Sequence, residues 1–167
     1  LSVIDPAAGN IAWETAPTCQ RDDQPFAMNF RSSDTMFALG GDLLLLYGSP
    51  YPCAQRWTPG SITPKWETFL PDDARFGFYQ NTSFLTDQEL YITVEHGIVR
   101  LDTAGGAARV LIEDEEQVFF PVAIHDDILI LKTSPTWDLQ KHSLWGVDSA
   151  TGERRWQFAL EADEWLR

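Results

Sequence analysis

The chain is short of positive charge, of metal-binding side chains and of long apolar runs, and each shortage closes off a class of function. Its 167 residues carry 12 Lys and Arg against 25 Asp and Glu, a formal net charge of −13. No basic cluster is present to track phosphates, so nucleic acid is excluded as a partner. No run of ~18 apolar residues occurs, so no membrane span is expected. Only three histidines (His96, His125, His142) and two cysteines (Cys19, Cys53) exist, and their spacing is not that of a zinc site. There is no Gly-x-Ser-x-Gly, no His-Glu-x-x-His and no glycine loop for a phosphate. Helical periodicity is also missing: Gly, Pro and β-branched residues interrupt every window in which it could run.

What the chain has is a repeated turn. Asp5-Pro-Ala-Ala-Gly9-Asn-Ile-Ala-Trp13, Asp102-Thr-Ala-Gly-Gly106-Ala-Ala-Arg-Val110 and Asp148-Ser-Ala-Thr-Gly152-Glu-Arg-Arg-Trp156 share one pattern. Each is Asp, three residues, Gly, three residues and a large apolar residue. Asp bonds its own backbone two residues on and holds a turn. Gly supplies the positive φ of a tight hairpin. A degenerate copy runs from Thr58 to Trp66, with Thr58 in the place of Asp. Positions 5, 58, 102 and 148 are separated by 53, 44 and 46 residues. Periods of about 40 to 50 residues with four strands each mark propeller blades.

The rest of each period reads as strands. The strong apolar runs are 43–47, 90–94 and 128–131, each introduced by acidic turn residues at Asp42, Asp87 or Asp126-Asp127. The strands before them are expected at Phe26–Phe30, Phe76–Tyr79 and Phe119–Ile124, and outer strands follow each Gly. This gives an all-β fold, a β-propeller segment of about three and a half four-stranded antiparallel blades. The expected divisions are an outer half-blade over 1–15 and blades over 24–70, 75–113 and 118–160. The chain opens on Leu1 inside one strand pattern and closes at Arg167 just after another. That predicts a segment of a longer ring of about seven or eight blades, completed by a complementary propeller segment or a second chain.

At these residues the chain resembles the quinoprotein-type, or PQQ-like, propeller repeat. Gly146-Val147-Asp148-Ser-Ala-Thr151-Gly152-Glu-Arg-Arg-Trp156 is a close match, and the stretch from Ile4 to Trp13 lacks only the Thr. The stretch Leu90–Asp102 matches the middle strands, with Val110 where the Trp belongs. The resemblance implies that Trp13, Trp66 and Trp156 dock on neighbouring blades. It also implies, for enzymes of the family, adjacent cysteines, a calcium-binding Glu and Asn and a catalytic Asp near the axis. None of these can be matched here. The expectation is therefore a non-enzymatic branch with no catalytic residue, cofactor or metal; the alternative is part of a quinone-dependent dehydrogenase. The family also implies a periplasmic or cell-surface location. For Cys19 and Cys53, a disulfide and two free thiols both remain open.

A second repeat is one of charge. Acidic residues recur after each blade's last strand, at Asp22-Asp23, Asp72-Asp73, Asp114-Glu115-Glu116 with Glu113, and Asp163-Glu164. In a propeller these connections share a face with the loops that carry Tyr51 and Trp137. That face is expected to bind a protein partner, a basic one by charge, with the aromatics either as anchors or as caps of the blades. The alternative for the acidic residues is a solvated rim that keeps the protein soluble.

Overall fold

The computed structural model describes residues 2–4, 7–8, 10–15, 17–21, 24–27, 35–47, 52–71 and 83–160. Among them lie sixteen strands and no helix. Three four-stranded antiparallel sheets carry the fold. The first blade is β5 (Thr35–Leu39), β6 (Asp42–Tyr47), β7 (Cys53–Trp57) and β8 (Trp66–Phe69). The second is β9 (Ser83–Leu85), β10 (Glu89–Val94), β11 (Gly97–Asp102) and β12 (Ala108–Glu113). The third is β13 (Gln117–His125), β14 (Ile128–Pro135), β15 (His142–Asp148) and β16 (Arg154–Leu160). Within each, strands pair in sequence order, so every connection is a hairpin. Strand β13 packs across β9, β10 and β11, so the third blade meets the second through its first strand.

Two further two-stranded sheets precede these: β1 (Ser2–Ile4) with β2 (Ile11–Glu14), and β3 (Thr18–Arg21) with β4 (Gln24–Ala27). The second pair was not expected. Phe26 lies in β4, opposite Cys19, and not in the first blade. The first blade instead starts at Thr35, because Gly40 and Gly41 at φ 56° and 87° make a two-residue hairpin joining Leu39 to Asp42. Gly-Gly is among the strongest short hairpin signals. In the third blade Asp126 and Asp127, at φ 46° and 63°, make the same kind of turn without glycine. Residues 76–79, expected as a strand, lie outside the described residues.

Strand alternation explains why the middle strands are apolar throughout. Leu44 and Leu46 point into one cluster with Leu90, Ile92, Val94, Val99 and Leu101 of the second blade. Leu45 and Tyr47, one residue out of phase, point the other way and meet Cys19, Cys53 and Trp57. Tyr91 and Ile98 likewise leave the first interface and join Phe119, Leu129, Leu131, Trp145 and Val147 of the third blade. A strand covered on both faces has no polar side to alternate with.

Cys19 and Cys53 form a disulfide, so the free-thiol alternative falls. It ties the β3–β4 hairpin to the first blade, beside a hydrogen bond from the Gln55 amide to Thr18 O at 2.7 Å. The closed loop spans 34 residues. A cross-link of that span stabilises by about 3 to 4 kcal/mol in the chain-entropy account.

Candidate functional site

The blades meet at two seams, and the Asp-x3-Gly turns form both. In each of these turns Asp accepts from its own loop. Asp102 takes the amides of Ala104 and Gly105 at 3.0 Å, and Asp148 takes those of Ala150 and Thr151 at 3.0 and 2.9 Å. Gly106 and Gly152 close the turns by donating back to Asp102 O and Asp148 O. Both have positive φ. Hydrogen bonds from Arg155 and from the Thr151 amide hold the Asp148 carboxyl down at about 2.

At the first seam the Trp66 indole lies against Gly106, where an added Cβ would stand 2.7 Å from the ring. Its Nε1 donates to Thr103 O at 3.1 Å, and Arg56 Nη1 donates to the same oxygen at 2.9 Å. Arg56 is itself held by Asp42. The buried Asp42 carboxylate accepts from Arg56 Nε and Lys65 Nζ, each at 2.7 Å, and from Thr58 Oγ1 at 2.8 Å. Burial pushes its pKa up, but the hydrogen bonds from Lys65, Thr58 and Arg56 outweigh that and bring it to about 2. Thr58, the missing Asp of the degenerate repeat, thus serves a carboxylate supplied from the neighbouring strand.

At the second seam the sequence reading needs correction. Val110 is not the residue that replaces the tryptophan. By register Trp66 faces Arg56, Trp156 faces Gly146, and Arg109 faces Arg100. Arg109 therefore holds the tryptophan position, and its guanidinium donates to Ala150 O in the turn of the third blade. The offset comes from a bulge. It falls beside the turn in the third blade, between Gly146 and Val147, but further along in the second, between Ile98 and Val99. A bulge shifts the count by one residue without a sequence mark of its own.

Above this second seam lies a groove of about 630 Å³, lined by acidic and polar side chains that include Asp87, Glu89, Asp127 and Asp148. Glu89 is occupied: it pairs with Arg100 and accepts from the Tyr91 hydroxyl. The groove is on the turn side, away from the acidic loops that the sequence singled out.

Of those loops, the structure describes Asp114, Glu115 and Glu116. Asp22, Asp23, Asp72, Asp73 and Tyr51 lie outside the described residues, as do Asp163 and Glu164. Asp114–Glu116 form the turn between β12 and β13, stapled by the amide of Glu116 to Asp114 Oδ1 at 2.9 Å. This turn is brought against the Trp137 loop: the Thr136 amide donates to Glu116 O at 2.9 Å. Trp137 is 71% exposed, so it does not cap the blade. The base of its loop carries a pair the sequence search missed, Ser134 Oγ and His142 Nδ1 at 2.7 Å. Burial lowers the His142 pKa, and Lys132 lowers it further. Ser134 is only 2% exposed, so the pair closes the hairpin rather than presenting a nucleophile.

Among the described residues the one grouping of three ligand-type side chains is Cys19, Cys53 and Glu67, and both sulfurs are spent in the disulfide. The first strands β5, β9 and β13 carry no carboxylate, no asparagine and no arginine, so they offer none of the groups that the resemblance implies for enzymes.

No family model matches the chain, and no curated protein does. Among solved structures it is similar to a europium-containing methanol dehydrogenase, with a TM-score of 0.50 and 14% identity. The match covers 74% of this chain and 24% of the enzyme, so the chain spans about a quarter of that protein's length. The likeness is one of fold, and it supports a propeller built of four-stranded blades. It also corrects the expectation of a non-enzymatic chain, because the protein whose fold is shared is an enzyme. The physical reason is that the repeat motifs record how blades dock and carry no mark of chemistry.

Proposed function

We propose that the chain is an arc of blades in a quinone-dependent dehydrogenase of the propeller type, one that oxidises an alcohol or a sugar outside the cytoplasm. The fold match to a methanol dehydrogenase over 74% of the chain carries this reading. The two described seams support it: at each, a blade reaches the turn of the next through a residue at one fixed register position, as a closed ring requires. The Cys19–Cys53 disulfide supports an oxidising compartment. In this role the described blades build the wall of the ring, and the cofactor is held by groups they do not include.

The test uses the native protein that carries this chain. After dialysis and denaturation it is expected to release a redox-active quinone, and before denaturation to reduce an acceptor dye with a short alcohol or a sugar. Absence of the quinone, with no dye reduction after addition of pyrroloquinoline quinone and calcium, would overturn the reading.

A further inference from the structure

The loop between β14 and β15 is built to hold an indole in water. The Asp138 amide donates to Pro135 O and the Lys141 amide to Asp138 O, each at 3.1 Å, while the Gln140 amide donates to Asp138 Oδ1 at 3.2 Å. Its base is closed by Ser134 and His142, and its flank is tied to the acidic turn through Thr136 and Glu116. Yet Trp137, at its tip, is 71% exposed, and Leu139 beside it is 38% exposed. Neither belongs to a buried cluster. An ordered loop that presents a rigid aromatic to solvent has already met the entropic cost of ordering a recognition anchor.

The ring already carries a cation. The Lys141 ammonium lies 4.8 Å from the Trp137 ring centroid, close enough for cation–π attraction. Lys141 also pairs with Asp138 at 3.6 Å, and its side chain is 66% exposed. A solvated ammonium on an exposed ring is held weakly. Around it carboxylates outnumber cations: Asp138 is in the loop and Glu115 and Glu116 are exposed on the adjoining turn, against Lys141 and Lys132, and the whole chain carries −13.

We infer that the Trp137 loop and the Glu115–Glu116 turn form a docking surface for a basic, apolar-flanked segment of a protein partner. An arginine or lysine of that segment takes the place of Lys141 on the indole, an apolar neighbour covers Leu139, and the two glutamates face its remaining charge. Phosphate-bearing partners are disfavoured by the same carboxylates. This surface is independent of the dehydrogenase reading, and either can fail without the other.

The probe is a short labelled peptide of alternating arginine and leucine, followed by fluorescence anisotropy at ~0.1 M salt, where bulk attraction between distant charges is screened. Trp137→Ala is expected to weaken binding about tenfold. Glu115→Gln with Glu116→Gln is expected to weaken it by about threefold or more and to flatten its salt dependence. Lys141→Gln is expected to tighten binding by about threefold. Arg154→Gln is the control: it removes the same charge from the opposite, turn end of the third blade, where the guanidinium lies 4.4 Å from the Trp145 ring, and it is expected to leave binding within about twofold. Unchanged binding by the Trp137 variant would overturn the proposal. So would equal tightening by the Lys141 and Arg154 variants, which would mean that net charge alone governs the peptide.

Discussion

Replacing Gly152 with alanine is expected to destabilise the protein by more than about 3 kcal/mol, because two independent penalties fall on one atom. Gly152 sits at φ 77°, where an L-residue is strained. An added Cβ would also stand 1.9 Å from Leu111 O of the second blade. That oxygen belongs to a strand and cannot rotate away, so the blades must part. Gly60 separates the two causes. Its φ is 92°, but nothing lies within 4 Å of its missing Cβ. Gly60→Ala should therefore cost only the conformational part, about 1 to 2 kcal/mol. Urea unfolding of the two variants checks this through the midpoint at constant slope. Equal losses would mean that Gly152 is needed for its turn and not for the seam.

The second large effect is at Asp42. Asp42→Ala removes the one carboxylate that holds Arg56, Lys65 and Thr58, and it frees an arginine that also reaches Thr103 O of the next blade. Breaking a buried pair from one side costs about 3 to 5 kcal/mol. The same carboxylate sets a pH dependence. Its pKa falls from 3.8 to about 2 on folding. A depressed carboxylate stabilises the native state above its unfolded pKa, and that stability is lost as pH drops from about 4 through about 2. The loss is on the order of 1 to 2 kcal/mol, less than the full shift implies because Lys65 is half exposed and solvent screens it. Denaturation midpoints measured down this range should fall for the wild type. They should fall less for Asp42→Asn, which keeps the shape and cannot ionise. Parallel curves would contradict the assignment.

The blade repeat was legible in the sequence because Asp, Gly and Trp each meet a local demand: a turn acceptor, a positive φ and a flat face for the next blade. The middle strands were legible too, because burial on both sides leaves uninterrupted apolar runs. Arg109 was not, since its place depends on where a bulge falls, and a bulge is decided by packing rather than by residue type. The start of the first blade is hidden for a different reason: Phe26–Phe30 carries an aromatic strand pattern, but Phe26 lies in β4, and the Gly40-Gly41 hairpin sets the first strand at Thr35. Cys19 and Cys53 lie 34 residues apart, and only the β3–β4 hairpin brings them together. As for the candidate site, the acidic turn and Trp137 were each visible, but their contact through Thr136 and Glu116 is a matter of topology. Chemistry was the least legible, because the motifs encode docking.

At both described seams a residue of the fourth strand of one blade locks onto the Asp-x3-Gly turn of the next, and this rule orders the fold. Trp156 is where the rule can be tested most directly. It packs over Gly146, where an added Cβ would be 2.0 Å from the ring, and edge-on to Phe158, which is 65% exposed. Among the described residues no hydrogen bond joins its indole to a turn. An experimental map of the native protein is the decisive measurement. The rule predicts a further turn seated on Trp156, with a backbone carbonyl accepting from Nε1 as Thr103 O does from Trp66. A Trp156 face left in solvent, or covered by anything other than such a turn, would contradict it.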